Sequence, residues 1–173
     1  MYRVPSGRVF TVKVRIMERI PMTAAGLQRL EDELKRLKNV ERPNVIRAIA
    51  EAREHGDLSE NAEYHAAKDQ QGFIEARVAE LEDKVGRAQV IDVKALSGDT
   101  VKFGAMVRVA DIDTDQEVEY QIVGEDESDV RTGRLSVSSP LARALIGKSV
   151  GEEVEVVTPG GRRGYEILSI SYG

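Results

Sequence analysis

The stretch EHGDLSENAEYHAAKDQQ, from Glu54 to Gln71, decides the fold because it joins two helical patterns that cannot form one helix. Before it, leucines at positions 27, 30, 34 and 37 recur at spacings of three and four, as on one face of a helix. After it, apolar residues at positions 74, 78, 81, 85 and 88 step by four and three in the same way. Two long helices joined by a short turn run antiparallel, so the sequence predicts a helical hairpin.

The first arm of this hairpin has clear start and stop signals. Thr23 is a suitable N-cap, and Gly56 ends the run. Pro43 lacks an N–H and clashes with the preceding turn, which predicts a kink or the start of a new helical segment near it. From Thr23 to Glu54 the arm is about 45 Å long at about 1.5 Å per residue. Alanines near the tip, at positions 48, 50, 52, 62, 66 and 67, predict arms that approach closely and a hairpin that tapers.

The second half has a different period. From about Gly98, apolar and polar residues alternate in MVRVADID, EVEYQIVG, GRLSV, EVEVVTP and GYEILSISY, as in half-buried strands. Between them, SSPLARALIG predicts one short helix with Ser139 as N-cap, Pro140 at its first position and Gly147 at its C-terminal cap. The predicted fold class is therefore α+β: an antiparallel helical hairpin followed by a mostly antiparallel, β-rich domain with one short helix.

Composition excludes several classes of function. The formal net charge of the 173-residue chain is -5, so the molecule as a whole is not a general binder of duplex nucleic acid. It has no cysteine, which excludes disulfides and thiolate zinc sites. No apolar run approaches the roughly 18 residues of a membrane span, and we expect a cytoplasmic protein without membrane contact. Residues 1–16, ahead of a second start-like sequence at Met17, are interpreted as a poorly ordered extension.

Two carboxylates in the turn, Asp57 and Glu60, have two interpretations. Their spacing fits a capping box, in which Asp57 caps the second helix and Glu60 accepts a hydrogen bond from the free N–H of the cap. Alternatively, both side chains project beyond the protein, where their oxygens could bind Mg²⁺ in another molecule's site. Because two carboxylates cannot complete an octahedral shell, the partner would then supply the remaining ligands.

The residues around the turn carry a family resemblance. The stretch IAEAREHGDLSENAEYHAAKDQQGFIEARVAELE closely resembles the coiled-coil tip of the Gre transcript-cleavage factors, the GreA type most of all. The resemblance continues through AQVID, GAMVRV, YQIVGEDE, LSVSSPLARALIGK and TPGG, and covers nearly everything after Met17. It implies a coiled-coil hairpin domain over residues 17–95 and an FKBP-like domain over residues 96–173.

The resemblance also implies a function and a partner. In this family the hairpin enters the secondary channel of bacterial RNA polymerase, while the FKBP-like domain docks at the channel mouth. The acidic pair of the family falls on Asp57 and Glu60, which would complete a Mg²⁺ site in the polymerase active centre and so stimulate cleavage of the 3′ end of backtracked RNA. The expected protein is a monomer, is not itself an enzyme and has no cofactor of its own beyond the Mg²⁺ of the polymerase.

Further residues receive expected roles from the resemblance. Arg53 and Lys68 match the basic patch that contacts the nascent RNA 3′ end. Ser138, Ser139 and Pro140 fit helix capping and docking on the polymerase equally well.

Several alternatives stay open at this point. The same hairpin could belong to an inhibitory or non-cleaving regulator of the secondary channel. An FKBP-like domain raises prolyl isomerisation, although such sites are aromatic-lined and Phe103 is the only phenylalanine in that half. His55 and His65 flank the tip but lack the ligand count of a zinc site. Tyr64 fits base stacking or hairpin packing. TPGGRRGY predicts a hairpin turn and GEDESD a solvated loop.

Overall fold

A computed structural model describes residues 18–56 and 60–173. Most of their buried apolar side chains belong to two separate clusters, one inside a helical hairpin and one inside a β-rich domain. The predicted α+β fold class is confirmed. The N-terminal extension 1–16 and the turn residues 57–59 lie outside the described residues.

The hairpin has two arms. Its elements have these bounds: α1 Ala24–Arg36, a π-helical turn Leu37–Glu41, α2 Arg42–Glu54 and α3 Ala62–Arg87. As predicted, Thr23 is the N-cap of α1, and its side-chain oxygen accepts a hydrogen bond from the backbone N–H of Gly26 at 3.1 Å. The arms bury an apolar seam whose members include Leu30, Leu37, Val45, Ile49, Ile74, Val78 and Leu81. Packing of this seam, rather than helix propensity alone, stabilises helices of this length.

The π-helical turn lies directly before Pro43. Pro43 occupies the first turn of α2, where its missing N–H leaves no intrahelical hydrogen bond unmade. The backbone N–H of Arg42 donates to the carbonyl of Leu37, five residues earlier. The predicted new helical segment near Pro43 is therefore present, and it is reached through a local change of helical winding rather than a break.

The alanines near the tip differ in burial. Ala52 and Ala67 are buried between the arms, whereas the alanines at positions 48, 50, 62 and 66 are exposed. Only one alanine on each arm therefore falls on the buried seam, and close approach of the arms at the tip stays a prediction.

Ion pairs cross between the arms on the surface of the hairpin. Arg77 on α3 donates two hydrogen bonds to the carboxylate of Glu33 on α1, at 2.7 and 2.9 Å. Arg42 forms a similar two-bond pair with Glu75, at 2.7 and 2.8 Å. The hydrogen bond from Arg77 lowers the pKa of Glu33 below its ordinary value. These pairs add surface contacts between the two arms to those of the buried seam.

The base of the hairpin carries a small sheet that the sequence analysis did not predict. Strand β1, Ile20–Met22, runs parallel to β2, Ala88–Val90, directly after the end of α3. Met22 is 2% exposed, so the strand pair closes the lower end of the hairpin core.

The β-rich domain is one five-stranded sheet. Its strands have these bounds: β3 Met106–Asp111, β4 Glu117–Val123, β5 Arg134–Ser136, β6 Glu153–Thr158 and β7 Gly161–Ser171. They lie in the order β5-β4-β3-β7-β6, antiparallel except for the parallel pair β4 and β5. The short helix α4, Pro140–Leu145, covers the core with Ala142 and Leu145, both fully buried. All five strands and the helix that the sequence predicts are present.

One predicted loop is placed differently. The acidic segment GEDESD contains a 3₁₀ turn, Glu125–Glu127, in which Glu127 is only 4% exposed. The prediction of a solvated loop is wrong for this residue, since its carboxylate faces the hairpin. In the part of the chain that the structure describes, no helix is long and apolar enough to cross a membrane.

Candidate functional site

The hairpin tip begins where α2 ends. His55 is the C-cap of α2, and its N–H donates to the carbonyl of Ala52 at 3.2 Å. Gly56 follows with a φ of 112°, a conformation that side-chain-bearing residues rarely adopt, so glycine is required for the chain to leave the helix here. Asp57 then lies outside the described residues, and its role stays a prediction.

The second arm starts at an asparagine. Asn61 is the N-cap of α3, and its side-chain oxygen accepts a hydrogen bond from the N–H of Tyr64 at 3.1 Å. The capping box expected from Asp57 and Glu60 is therefore wrong: Glu60 precedes the cap and takes no part in it. Asparagine and aspartate cap equally well, so local sequence did not distinguish Asn61 from Asp57 as the cap.

Asn61 also ties the two arms together. Its side-chain NH₂ donates to the backbone carbonyl of Ala52, the last buried residue of α2, at 2.7 Å. One side chain thus satisfies an orphan donor of α3 and adds a second hydrogen bond to a carbonyl at the end of α2 that also accepts from His55. Asn61 was not predicted as the cap, although an asparagine directly before a resumed helical period is a recognised start signal.

Glu60 is the described carboxylate of the predicted acidic pair. It is exposed and lies next to Asn61, so the cap that orders α3 also limits the backbone freedom of Glu60. Within residues 18–56 and 60–173, no three His, Cys, Asp or Glu side chains are grouped so that they could hold a metal ion. The described part of the tip thus carries exposed carboxylates, Glu54, Glu60 and Glu63, that are not grouped as a metal site of their own, which fits a metal site shared with another molecule.

The predicted basic residues have different surroundings. The guanidinium of Arg53 lies 6.0 Å from the ring centroid of Tyr64, within cation–π range. Tyr64 packs partly against the hairpin core, and its ring meets that of His65 edge-on at 5.6 Å. Lys68 lies one turn further along α3, is exposed, and donates to the side chain of Gln71 at 3.1 Å. Arg53 is thus held in place by an aromatic ring, whereas Lys68 remains on an open helix surface.

The predicted docking residues lie in the other domain. Ser139 is the N-cap of α4 and accepts a hydrogen bond from Ala142 at 3.2 Å, so its expected capping role is confirmed. The hydroxyl of Ser138 is 2.9 Å from that of Ser136, and Pro140 is exposed at the first turn of the helix. Docking by these three residues stays a prediction.

Two family models match the chain and together cover most of it. The model for the N-terminal domain of transcription elongation factors matches residues 20–90, and the C-terminal GreA/GreB model matches residues 96–172. The chain belongs to the GreA/GreB family of transcription elongation factors, and the resemblance inferred from its motifs is confirmed.

Individual relatives agree with this family. Transcription elongation factor GreA of Maricaulis maris is 67% identical over 157 residues, which are 91% of this chain and 100% of the relative. GreA of Caulobacter vibrioides is 67% identical over 156 residues, 90% of this chain and 99% of the relative. Among solved structures, GreA factor homolog 1 of Thermus thermophilus is 29% identical with a TM-score of 0.41, covering 89% of this chain and 99% of that chain.

Proposed function

We propose that this protein rescues arrested transcription by entering the secondary channel of bacterial RNA polymerase with its hairpin and stimulating cleavage of the 3′ end of backtracked RNA. The observation that carries the proposal is an exposed carboxylate, Glu60, at the far end of a helical hairpin. It lies next to Asn61, the N-cap residue whose side chain makes two hydrogen bonds. The first arm spans about 45 Å at about 1.5 Å per residue, enough to carry that carboxylate into a deep site.

The tip would contribute ligands rather than a complete active site. A Mg²⁺ held jointly with the polymerase would activate the attacking water and neutralise charge on the scissile phosphate. Glu60 would supply one ligand oxygen and Asp57 a second, the latter on the family resemblance alone. The polymerase remains the enzyme, and this protein needs no cofactor of its own.

The basic residues fit the RNA. Arg53, oriented by the ring of Tyr64, would contact a phosphate of the extruded 3′ end, and Lys68 would add a second positive charge. Both are contacts to a local strand end, which agrees with a chain whose net charge is -5.

The β-rich domain would provide affinity. Ser138, Ser139 and Pro140 form the entry to α4, and the exposed Pro140 is the part of it available to a partner. An isolated hairpin should accordingly bind polymerase weakly and cleave only at high concentration. A protein with this partner acts in the bacterial cytoplasm, and one monomer per channel suffices.

A stalled, backtracked elongation complex with end-labelled RNA tests the proposal. Cleavage is measured at several Mg²⁺ concentrations with Glu60→Gln, Asp57→Asn and the control Glu63→Gln, which removes a neighbouring exposed carboxylate. We expect Glu60→Gln and Asp57→Asn to lower the cleavage rate about tenfold or more, at least the effect of losing an outer-shell partner of a metal. Raised Mg²⁺ should restore part of that rate. The control should cleave normally.

Two results would overturn the proposal. Full cleavage at limiting Mg²⁺ by a variant that combines Asp57→Asn with Glu60→Gln would remove the carboxylates from the chemistry. Polymerase binding without any cleavage by the unmodified protein would instead assign a non-cleaving regulator of the same channel.

A further inference from the structure

The acidic turn Glu125–Glu127 connects the two parts of the molecule. The carboxylate of Glu127 accepts hydrogen bonds from the N–H of Thr23 at 3.0 Å and from the N–H of Gly124 at 3.1 Å, and from the hydroxyl of Thr23. Thr23 is the N-cap of α1, so a side chain of the β-rich domain is bonded directly to the start of the hairpin. The negative charge also lies at the positive end of the helix.

Two glycines make this contact possible. A Cβ on Gly26, in the first turn of α1, would lie 2.5 Å from Cγ of Glu127, closer than real atoms approach. A Cβ on Gly124 would lie 2.7 Å from the carbonyl oxygen of Pro21 in β1. The backbones of the two domains therefore meet at Gly124 and Pro21, and the side chain of Glu127 occupies the space beside Gly26.

The same turn also contacts the second arm. Asp126 accepts a hydrogen bond from the ammonium group of Lys84 on α3 at 2.6 Å, and Lys84 contacts Glu80 on its own helix at 2.8 Å. The turn thus bonds α1 through Glu127 and α3 through Asp126. Two contacts on two different helices restrict rotation of the hairpin as well as its separation from the domain.

Apolar contacts at this joint lie outside the two main clusters. Most buried apolar residues of the described chain belong to a cluster in the hairpin or to one in the sheet, and Val123, 2% exposed beside the joint, belongs to neither. A cavity of about 690 Å³ lies beside the joint, lined by residues from both domains, among them Ala25, Ile91 and Val123. Close packing does not fill the space beside this joint, so the directional polar contacts help to define the angle between the two domains.

We propose that Glu127 is a positioning residue that, together with Thr23 and Gly26, sets the angle at which the hairpin leaves the β-rich domain. The angle matters because the hairpin is a long lever. A rotation of about 10° at the base moves the end of an arm of about 45 Å by roughly 8 Å. Catalytic ligands tolerate displacements of only about 1 Å, so a loosened joint would slow RNA cleavage while binding to polymerase is retained. This last consequence rests on the proposed function; the angle itself does not.

The angle can be measured directly because the chain has no cysteine. Spin labels at Ala50→Cys near the tip and Lys148→Cys in the β-rich domain, both exposed positions, report one distance by double electron–electron resonance. The test variant is Gly26→Ala, and the matched control is Gly86→Ala, a helical glycine of α3 with open space around it. We expect the distance distribution to shift or broaden by several ångströms in the first and to stay unchanged in the second.

A second pair of variants adds no volume at the joint. Thr23→Val removes the hydroxyl that bonds Glu127, and Thr23→Ser retains it. Thr23→Val should show the same altered distances as Gly26→Ala, and Thr23→Ser should keep the distances of the unmodified protein. An unchanged distribution in both Gly26→Ala and Thr23→Val would overturn the proposal.

Cleavage assays then test the functional consequence. At saturating protein, Gly26→Ala and Thr23→Val should cleave backtracked RNA roughly tenfold or more slowly, while their affinity for polymerase stays within about twofold. Altered distances with unchanged cleavage would refute the positioning role. If the unmodified protein stimulates no cleavage, the proposed function fails, and the distance measurements still decide whether Glu127 sets the angle.

Discussion

The side chain of Asn61 makes two hydrogen bonds, and one substitution should remove one of them while keeping the other. Asn61→Asp keeps the side-chain oxygen that accepts from Tyr64, since aspartate is as good an N-cap as asparagine. It removes the NH₂ that donates to the carbonyl of Ala52 at 2.7 Å. Asn61→Ala removes both bonds. Comparing the two variants therefore measures the tie between the arms apart from the cap.

The magnitudes follow from the two contacts. The bond to Ala52 is part-buried and neutral, and its loss should cost about 1 kcal/mol. The cap is worth about 1 kcal/mol more, so Asn61→Ala should lose about 2 kcal/mol in local stability. A free-energy change of about 1 kcal/mol is a factor of roughly five in an opening equilibrium.

Amide hydrogen exchange gives the residue-level measurement. In Asn61→Asp, protection of the Tyr64 amide should stay within about twofold, while the His55 amide, which bonds the same carbonyl of Ala52, should exchange roughly fivefold faster. In Asn61→Ala both amides should lose protection. Equal behaviour of the two variants at His55 and Tyr64 would refute the assignment of separate roles.

Two further predictions concern the hairpin. Leu81 is fully buried in the seam, so Leu81→Ala should destabilise the hairpin by about 3 kcal/mol in denaturant unfolding followed by circular dichroism, whereas Phe73→Ala, at a side chain 76% exposed, should change little. The Glu33–Arg77 pair should contribute roughly 0.5 kcal/mol in a double-mutant cycle with Glu33→Gln and Arg77→Met, a small value because both side chains are about one-third exposed. Since the pKa of Glu33 is lowered in the folded protein, this contribution is present above its ordinary pKa and should disappear as the pH falls through the lowered one. A coupling that persists in acid would contradict it.

Much of the fold could be predicted because it depends on local periodicity. The three-and-four spacing of the seam gave both arms, and alternation gave the five strands of the sheet. Strands β1 and β2 were missed because three residues are too few to show a period. The capping residue was misplaced because Asp57 and Asn61 are equivalent by local rules, and only the contact with Ala52, nine residues away, distinguishes them.

The buried acid was unpredictable for a related reason. Glu127 lies in a run of acidic residues whose composition is that of a solvated loop. Its partner, Thr23, is 104 residues away in sequence, so the sequence near either residue gives no sign of the contact. The family resemblance supplied roles for the tip residues, but the joint between the domains became visible only in three dimensions.

The π-helical turn has a consequence for how the first arm tolerates insertion and deletion. Buried seam residues are seven apart from Leu30 to Leu37 and from Val45 to Ala52, but eight apart between Leu37 and Val45. The π-helical turn accommodates that one additional residue. The buried residues after the turn therefore lie on the same face of the arm as the buried residues before it. Loss of one residue inside the turn would preserve the phase but place Pro43 within a regular helix. Loss of one residue anywhere else in α2 would rotate the tip by about 100° relative to the base. A deletion in this turn would therefore keep the direction of the tip at the cost of straining Pro43, whereas a deletion in α2 would turn the tip residues to another side of the hairpin.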